Sequence, residues 1–106
     1  MMDRKIIKLV KRLKSYLKRK YKDRIKDVIL YGSYARGEAK EDSDVDVIVV
    51  VEKIDPTKVR KGISRFLFDL MLEQEELISV IVVSKKFFED HSYPFLLNVK
   101  REGVKI

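Results

Sequence analysis

The run Val47-Ile48-Val49-Val50-Val51 sets the tightest limit on what this chain can fold into. A strand with one wet face alternates apolar and polar residues, whereas an unbroken β-branched run suits a strand covered on both faces. Asp44-Val45-Asp46 just before it does alternate, so the strand begins half-exposed and ends buried. Such a strand needs neighbours in a sheet and helices to cover it.

The rest of the chain supplies both. Ile6, Val10, Leu13 and Leu17 recur at steps of three and four, flanked by Leu9, Tyr16 and Tyr21. That spacing predicts an amphipathic helix over 3–22, apolar on one face and rich in Lys and Arg on the other. Residues 25–31 predict a strand that runs into a turn at Gly32, 33–37 allow one helical turn, and 38–43 form a polar loop. Asp55 caps a helix opened by Pro56 and carried to about Gln74 by Val59, Ile63, Phe66, Leu67, Leu70 and Met71. A third strand is predicted over 77–83. Ser84 caps a short helix over 85–90, Pro94 opens another through 101, and Gly103 marks the exit. The order α-β-β-α-β-α-α predicts an α/β (α+β) fold, a small mixed sheet with helices packed against it. At 106 residues, the expectation is a single domain spanning 1–106.

Composition narrows the setting. Apolar residues make up 45% of the chain, which argues against disorder. No apolar run is long enough to span a bilayer or to act as a secretory leader, so a cytoplasmic location is expected. Without cysteine there are no disulfides or thiolate metal sites. Charged residues reach 39%, with one Asn and one Gln, a balance common in thermophile proteins. The net charge of +7 is unevenly spread: residues 1–26 hold twelve Lys or Arg against two Asp, and residues 38–46 hold five acids against one lysine. The basic arm reads either as the solvated face of a helix or as a surface for RNA, whose binding would weaken with salt.

Chemistry concentrates in Gly32-Ser33-Tyr34-Ala35-Arg36-Gly37, followed after five residues by Ser43-Asp44-Val45-Asp46. Positions two apart on a strand share a face, so Asp44 and Asp46 stand roughly 6–7 Å apart at Cα. Each carboxylate resists ionising beside the other, and a hard divalent cation such as Mg²⁺ removes that conflict. The plain alternative is two surface acids on a solvated strand edge. Gly32 permits close backbone approach, and the short helix after it offers free N–H groups to anionic oxygens. Ser33 adds a hydroxyl or caps the turn. Arg36 adds a planar cation, for a phosphate or for Glu38 or Asp42. A phosphate cradle beside a metal pair describes a site for a nucleoside triphosphate with Mg²⁺.

Gly32, Ser33, Ala35, Arg36, Gly37, Ser43, Asp44 and Asp46 match the pattern G-S-x-A-R-G-x5-S-D-x-D. On these residues the chain resembles the minimal nucleotidyltransferases of the DNA polymerase beta superfamily. The segment 94–103 also looks like the end of stand-alone members. The resemblance implies a polymerase beta-like fold and transfer of a nucleoside monophosphate, AMP foremost, from an NTP to a hydroxyl. It implies Asp44 and Asp46 as catalytic metal ligands, and Gly32, Ser33, Arg36 and Ser43 at the nucleotide. It further implies a HEPN-type toxin as partner, with this chain as its antitoxin. A homodimer or a hetero-complex fits so small a core.

One departure matters. The family carries a third carboxylate on a later strand, as general base and second metal ligand. Here that strand has no acid: Ser79 takes the expected position, and Glu75 and Glu76 lie just before it. Serine cannot act as a base at neutral pH. Either Glu76 reaches the site, or a partner supplies the base, or the domain binds NTP without turnover and neutralises a toxin by contact. His91, the sole histidine, reads as a loop residue, and Phe66, Phe68, Phe87 and Phe88 as packing residues.

Overall fold

The computed structural model describes residues 3–90 and 92–106; His91 lies outside the described residues. Helix α1 (Arg4–Tyr21) opens at an Asp3 cap that accepts from the amides of Lys5 and Ile6, and a 3-10 turn (Lys22–Arg24) leads from it into β1 (Ile25–Tyr31). The short α2 (Ser33–Arg36) and the polar loop follow, then β2 (Val45–Val51). Next come α3 (Pro56–Gly62), α4 (Ser64–Gln74), β3 (Ile78–Ser84), α5 (Lys85–Phe88), α6 (Pro94–Glu102) and β4 (Val104–Lys105).

The four strands form one mixed sheet in the order β3-β2-β1-β4. β1 runs antiparallel to β2 and β4, and β2 runs parallel to β3. The apolar run of β2 is therefore central, and every residue of that strand except Asp46 is buried. Val45, Val47, Val49 and Val51 face a core formed with α1, α3 and α4, through Leu9, Leu13, Leu17, Val59, Ile63 and Leu67. Ile48 and Val50 face a smaller core with Ile29, Phe88, Leu96 and Val99, under α5 and α6. Alternation along the strand thus assigns Asp46 to the α5–α6 face.

Two details differ from the sequence reading. The helix expected over 56–74 is two helices, broken at Ile63, which is fully buried with φ −102° and ψ −1°. Gly62 precedes the break, at a position where a Cβ would run into the Tyr21 hydroxyl at the end of α1. Past Gly103 the chain adds the short edge strand β4, whose Val104 pairs with Leu30 and Lys105 with Ile29. At the other edge of the sheet, the Arg60 guanidinium donates to the Val80 carbonyl at 3.2 Å.

The basic face of α1 is partly committed. Lys14, Lys18 and Lys20 donate to the carbonyls of Ile106, Ile25 and Gly62, while Lys5 and Arg12 pair with Glu76 and Glu73. Among the described residues no helix is long and apolar enough to cross a membrane.

Candidate nucleotide and metal site

The turn after β1 and the start of β2 meet at one end of the sheet. Gly32 is the N-cap of α2, with φ 77° and ψ −156°, a conformation that strains any residue with a Cβ. A second constraint acts there: a Cβ on Gly32 would collide with Asp46 Oδ2 and lie 3.2 Å from its Cγ. The glycine is needed because the carboxylate packs against the turn. Ser33 is the first helical residue and not the cap, and no side chain caps this helix. By helix geometry the first amides of α2 have no partner within it. Gly37 closes the turn in the left-handed region, and its amide donates to the carbonyls of Ser33 and Tyr34.

Asp46 sits between two neighbours in register, Tyr31 on β1 and Ser79 on β3. Burial is the main force raising its carboxyl above the usual range; the charge of Asp44 adds to it, and Arg36 partly offsets it. Asp44 thus stands close enough for its charge to oppose the ionisation of Asp46, the direction expected from their spacing. Asp44 is exposed, one residue before β2, where the Val45 amide anchors the chain to the Leu77 carbonyl at 2.8 Å. Burial, then the charge of Asp46, push the Tyr31 phenol upward, so it stays protonated at neutral pH.

Arg36 stands at the rim, paired with Glu38 at 3.1 Å and Glu102 at 3.5 Å. Ser43 has a local role: its Oγ accepts from the Lys40 amide at 2.8 Å and closes the acidic loop. Glu76 does not reach the pair. It is held at 3.5 Å by Lys5 of α1, and after burial it is the next cause that raises the phenol of Tyr34, which packs on the α1 core. Ser79 is exposed and lies directly beside Asp46 in the parallel register. Among the described residues no three His, Cys, Asp or Glu converge as a metal-binding group. Two carboxylates that oppose each other's charge beside free amides still suit a divalent cation whose remaining ligands come from phosphate and water.

The sequence reading missed the contribution of α6. Phe95 stands edge-on to Tyr31, with ring centroids 5.6 Å apart and planes at 83°, and Glu102 of the same helix reaches Arg36. These contacts join residues more than sixty positions apart, and no local pattern announces them.

This sheet order, with a glycine turn pressed on Asp46, is the fold of a nucleotidyltransferase. A candidate nucleotidyltransferase from Sulfolobus solfataricus superposes with a TM-score of 0.63 at 19% identity, covering 94% of this chain and 78% of that one. A toxin-antitoxin structure containing AMP-PNP superposes with a TM-score of 0.57 at 20% identity, over 95% of this chain and 68% of that one. The nucleotidyltransferase domain model matches residues 10–102, and the chain belongs to that family. Among its relatives is a candidate protein adenylyltransferase of Methanocaldococcus jannaschii, 34% identical over 95% of this chain and 98% of its own. The protein adenylyltransferase MntA of Thermococcus cleftensis is 57% identical over a shorter stretch, 28% of this chain and 30% of its own.

Proposed function

We propose that this chain transfers AMP from ATP, in the presence of Mg²⁺, to a hydroxyl on a partner protein, and that the partner is a HEPN-type toxin which it restrains as an antitoxin. The observation that carries this reading is the packing of Asp46 against Gly32, which joins the carboxylate pair and the amides of α2 into one site. The relatives support it: they carry the names of protein adenylyltransferases, and the structural neighbours include toxin-antitoxin complexes. In this reading Asp44 and Asp46 hold the divalent cation, which when bound neutralises charge on the triphosphate.

The chain's own residues do the rest. The amides following Gly32 and the Ser33 hydroxyl cradle phosphate oxygens, and Arg36 turns from Glu38 and Glu102 toward the nucleotide. Ser43 fixes the loop that delivers Asp44. The acceptor oxygen attacks the α-phosphorus, the bond to the bridging oxygen breaks, and pyrophosphate leaves. The acceptor proton needs a base, and with Ser79 beside Asp46 and Glu76 turned to α1, that base comes from the partner or from solvent. A cytoplasmic setting suits a reaction that consumes ATP.

The Ser79 position also favours a second reading, a module that binds NTP or partner and neutralises a toxin by contact alone. The test is transfer of label from α-phosphate-labelled ATP with Mg²⁺ to the partner protein, comparing wild type, Asp46→Asn and Ser79→Asp. The transferase reading expects label that falls about 100-fold or more in Asp46→Asn and rises in Ser79→Asp. No label from a chain that still restrains the toxin with Asp44 and Asp46 both replaced by Asn would establish the contact module.

A further inference from the structure

Among the described residues, the outer face of α4 carries the most exposed cluster of large apolar side chains. Phe68 and Leu72 are 55% and 65% exposed, and Leu77 just before β3 is 67% exposed. With Met71, Glu75 and Glu76 they line an open depression of about 350 Å³. The inward side of the same helix places Leu67 and Leu70 in the core shared with α1 and α3. Phe68 and Leu72 therefore have no packing role within the chain that explains their size.

The outward stripe on α4 is Arg65, Phe68 and Leu72, at steps of three and four, and Glu75 follows three residues on as the left-handed cap that ends the helix. This is the spacing of a seam between two packed helices. It is also self-complementary about Leu70: Phe68 and Leu72 each lie two residues away, and Arg65 and Glu75 each five. Turned end for end against a copy of itself, the stripe sets Phe68 on Leu72 and Arg65 on Glu75, twice over. A parallel pairing would set Arg65 on Arg65 and Glu75 on Glu75, so charge selects the antiparallel one. The Arg65 side chain is 89% exposed and, among the described residues, pairs with Asp69 one turn on at 3.4 Å, a contact weak enough to give up. Glu75 makes no ion pair among the described residues.

We infer that the occupant of this face is a second copy of the chain, joined through α4 in an antiparallel twofold dimer. Such symmetry makes residue i meet j and j meet i, which is the arrangement the stripe encodes. α4 packs on the sheet face opposite Asp46. The inference stands apart from the proposed function.

Sedimentation equilibrium on the full chain tests it, with circular dichroism to show that each variant is folded. The expected result is a dimer that Leu72→Asp converts to a monomer. Arg65→Glu and Glu75→Arg should each weaken it by about tenfold, since each sets two like-charge contacts across the twofold axis. The two changes combined restore the dimer, with the charges exchanged. A monomer at all concentrations, a dimer indifferent to Leu72→Asp, or a double reversal that fails to recover overturns the inference. So does a monomeric chain whose Leu72→Asp variant loses only a heterologous partner, which would assign the face to that partner.

Discussion

Two residues of the site can be tested without knowing the acceptor. Gly32→Ala places a methyl group against the Asp46 carboxylate, at a backbone φ of 77°. Left-handed strain and the collision together should cost about 1–3 kcal/mol and displace the carboxylate. The expected outcome is a lower urea midpoint together with weaker Mg²⁺-dependent nucleotide binding; unchanged values for both would show that the turn tolerates a Cβ. Asp46 itself carries a pH signature. Its carboxyl is raised by burial and then by Asp44, so the fold holds the proton more tightly than the unfolded chain does. Its contribution to stability is then full below the usual carboxylate range and is lost as pH rises through the raised value. Without divalent cations, Asp46→Asn should therefore gain stability relative to wild type as pH rises from about 3 to about 7. A difference in Tm that stays flat over that interval would contradict the shift.

At the scale of elements, the regular parts of the fold were legible and the junctions were not. The β2 run announced a strand covered on both faces, and the stripe of α1 announced one apolar side. Asp55 and Ser84 were readable as caps, and they accept from the amides of Thr57 and Phe87. The break at Ile63 escaped because one non-helical residue barely disturbs a three-and-four spacing; Gly62 was the available clue. β4 escaped because two residues carry no period. In the site, the motif brought together Gly32, Ser33, Asp44 and Asp46, but Tyr31, Phe95 and Glu102 enter through the sheet register and the packing of α6. Gly103 makes that packing testable. A Cβ there would meet the Val99 carbonyl and the Ile29 side chain. Gly103→Ala should lift α6 and β4 from β1 and cost about 1–3 kcal/mol in chemical denaturation. If it behaves as wild type, α6 is not fixed at that end.

On the scale of the whole molecule, the abundance of charge suggested a chain adapted to heat through ion-pair networks. Among the described residues the pairs are mostly isolated and exposed, and a larger group joins Arg36, Glu38, Glu102 and Arg101. Exposed pairs contribute about 0–1 kcal/mol each and are screened by salt. Stability should therefore rest on the two apolar layers, and raising NaCl from about 0.05 M to about 1 M should move Tm by less than about 5 °C. A much larger fall in a thermal melt would return the weight to the ion pairs.

The Arg60 contact with the Val80 carbonyl has a meaning for the chain's life in a crowded cell. β3 is the outer strand on its side, and Ile78-Ser79-Val80-Ile81-Val82-Val83 is six residues of high β-propensity with no charge and no proline. Segments of that kind template fibrils when their free backbone meets another copy. One guanidinium laid across the middle of the strand occupies the carbonyl where such stacking would begin and sets a positive charge in the path of any incoming chain. The residue that tethers α3 to the sheet should thereby also oppose edge-to-edge stacking, and Arg60→Ala is expected to turn turbid before it loses its fold.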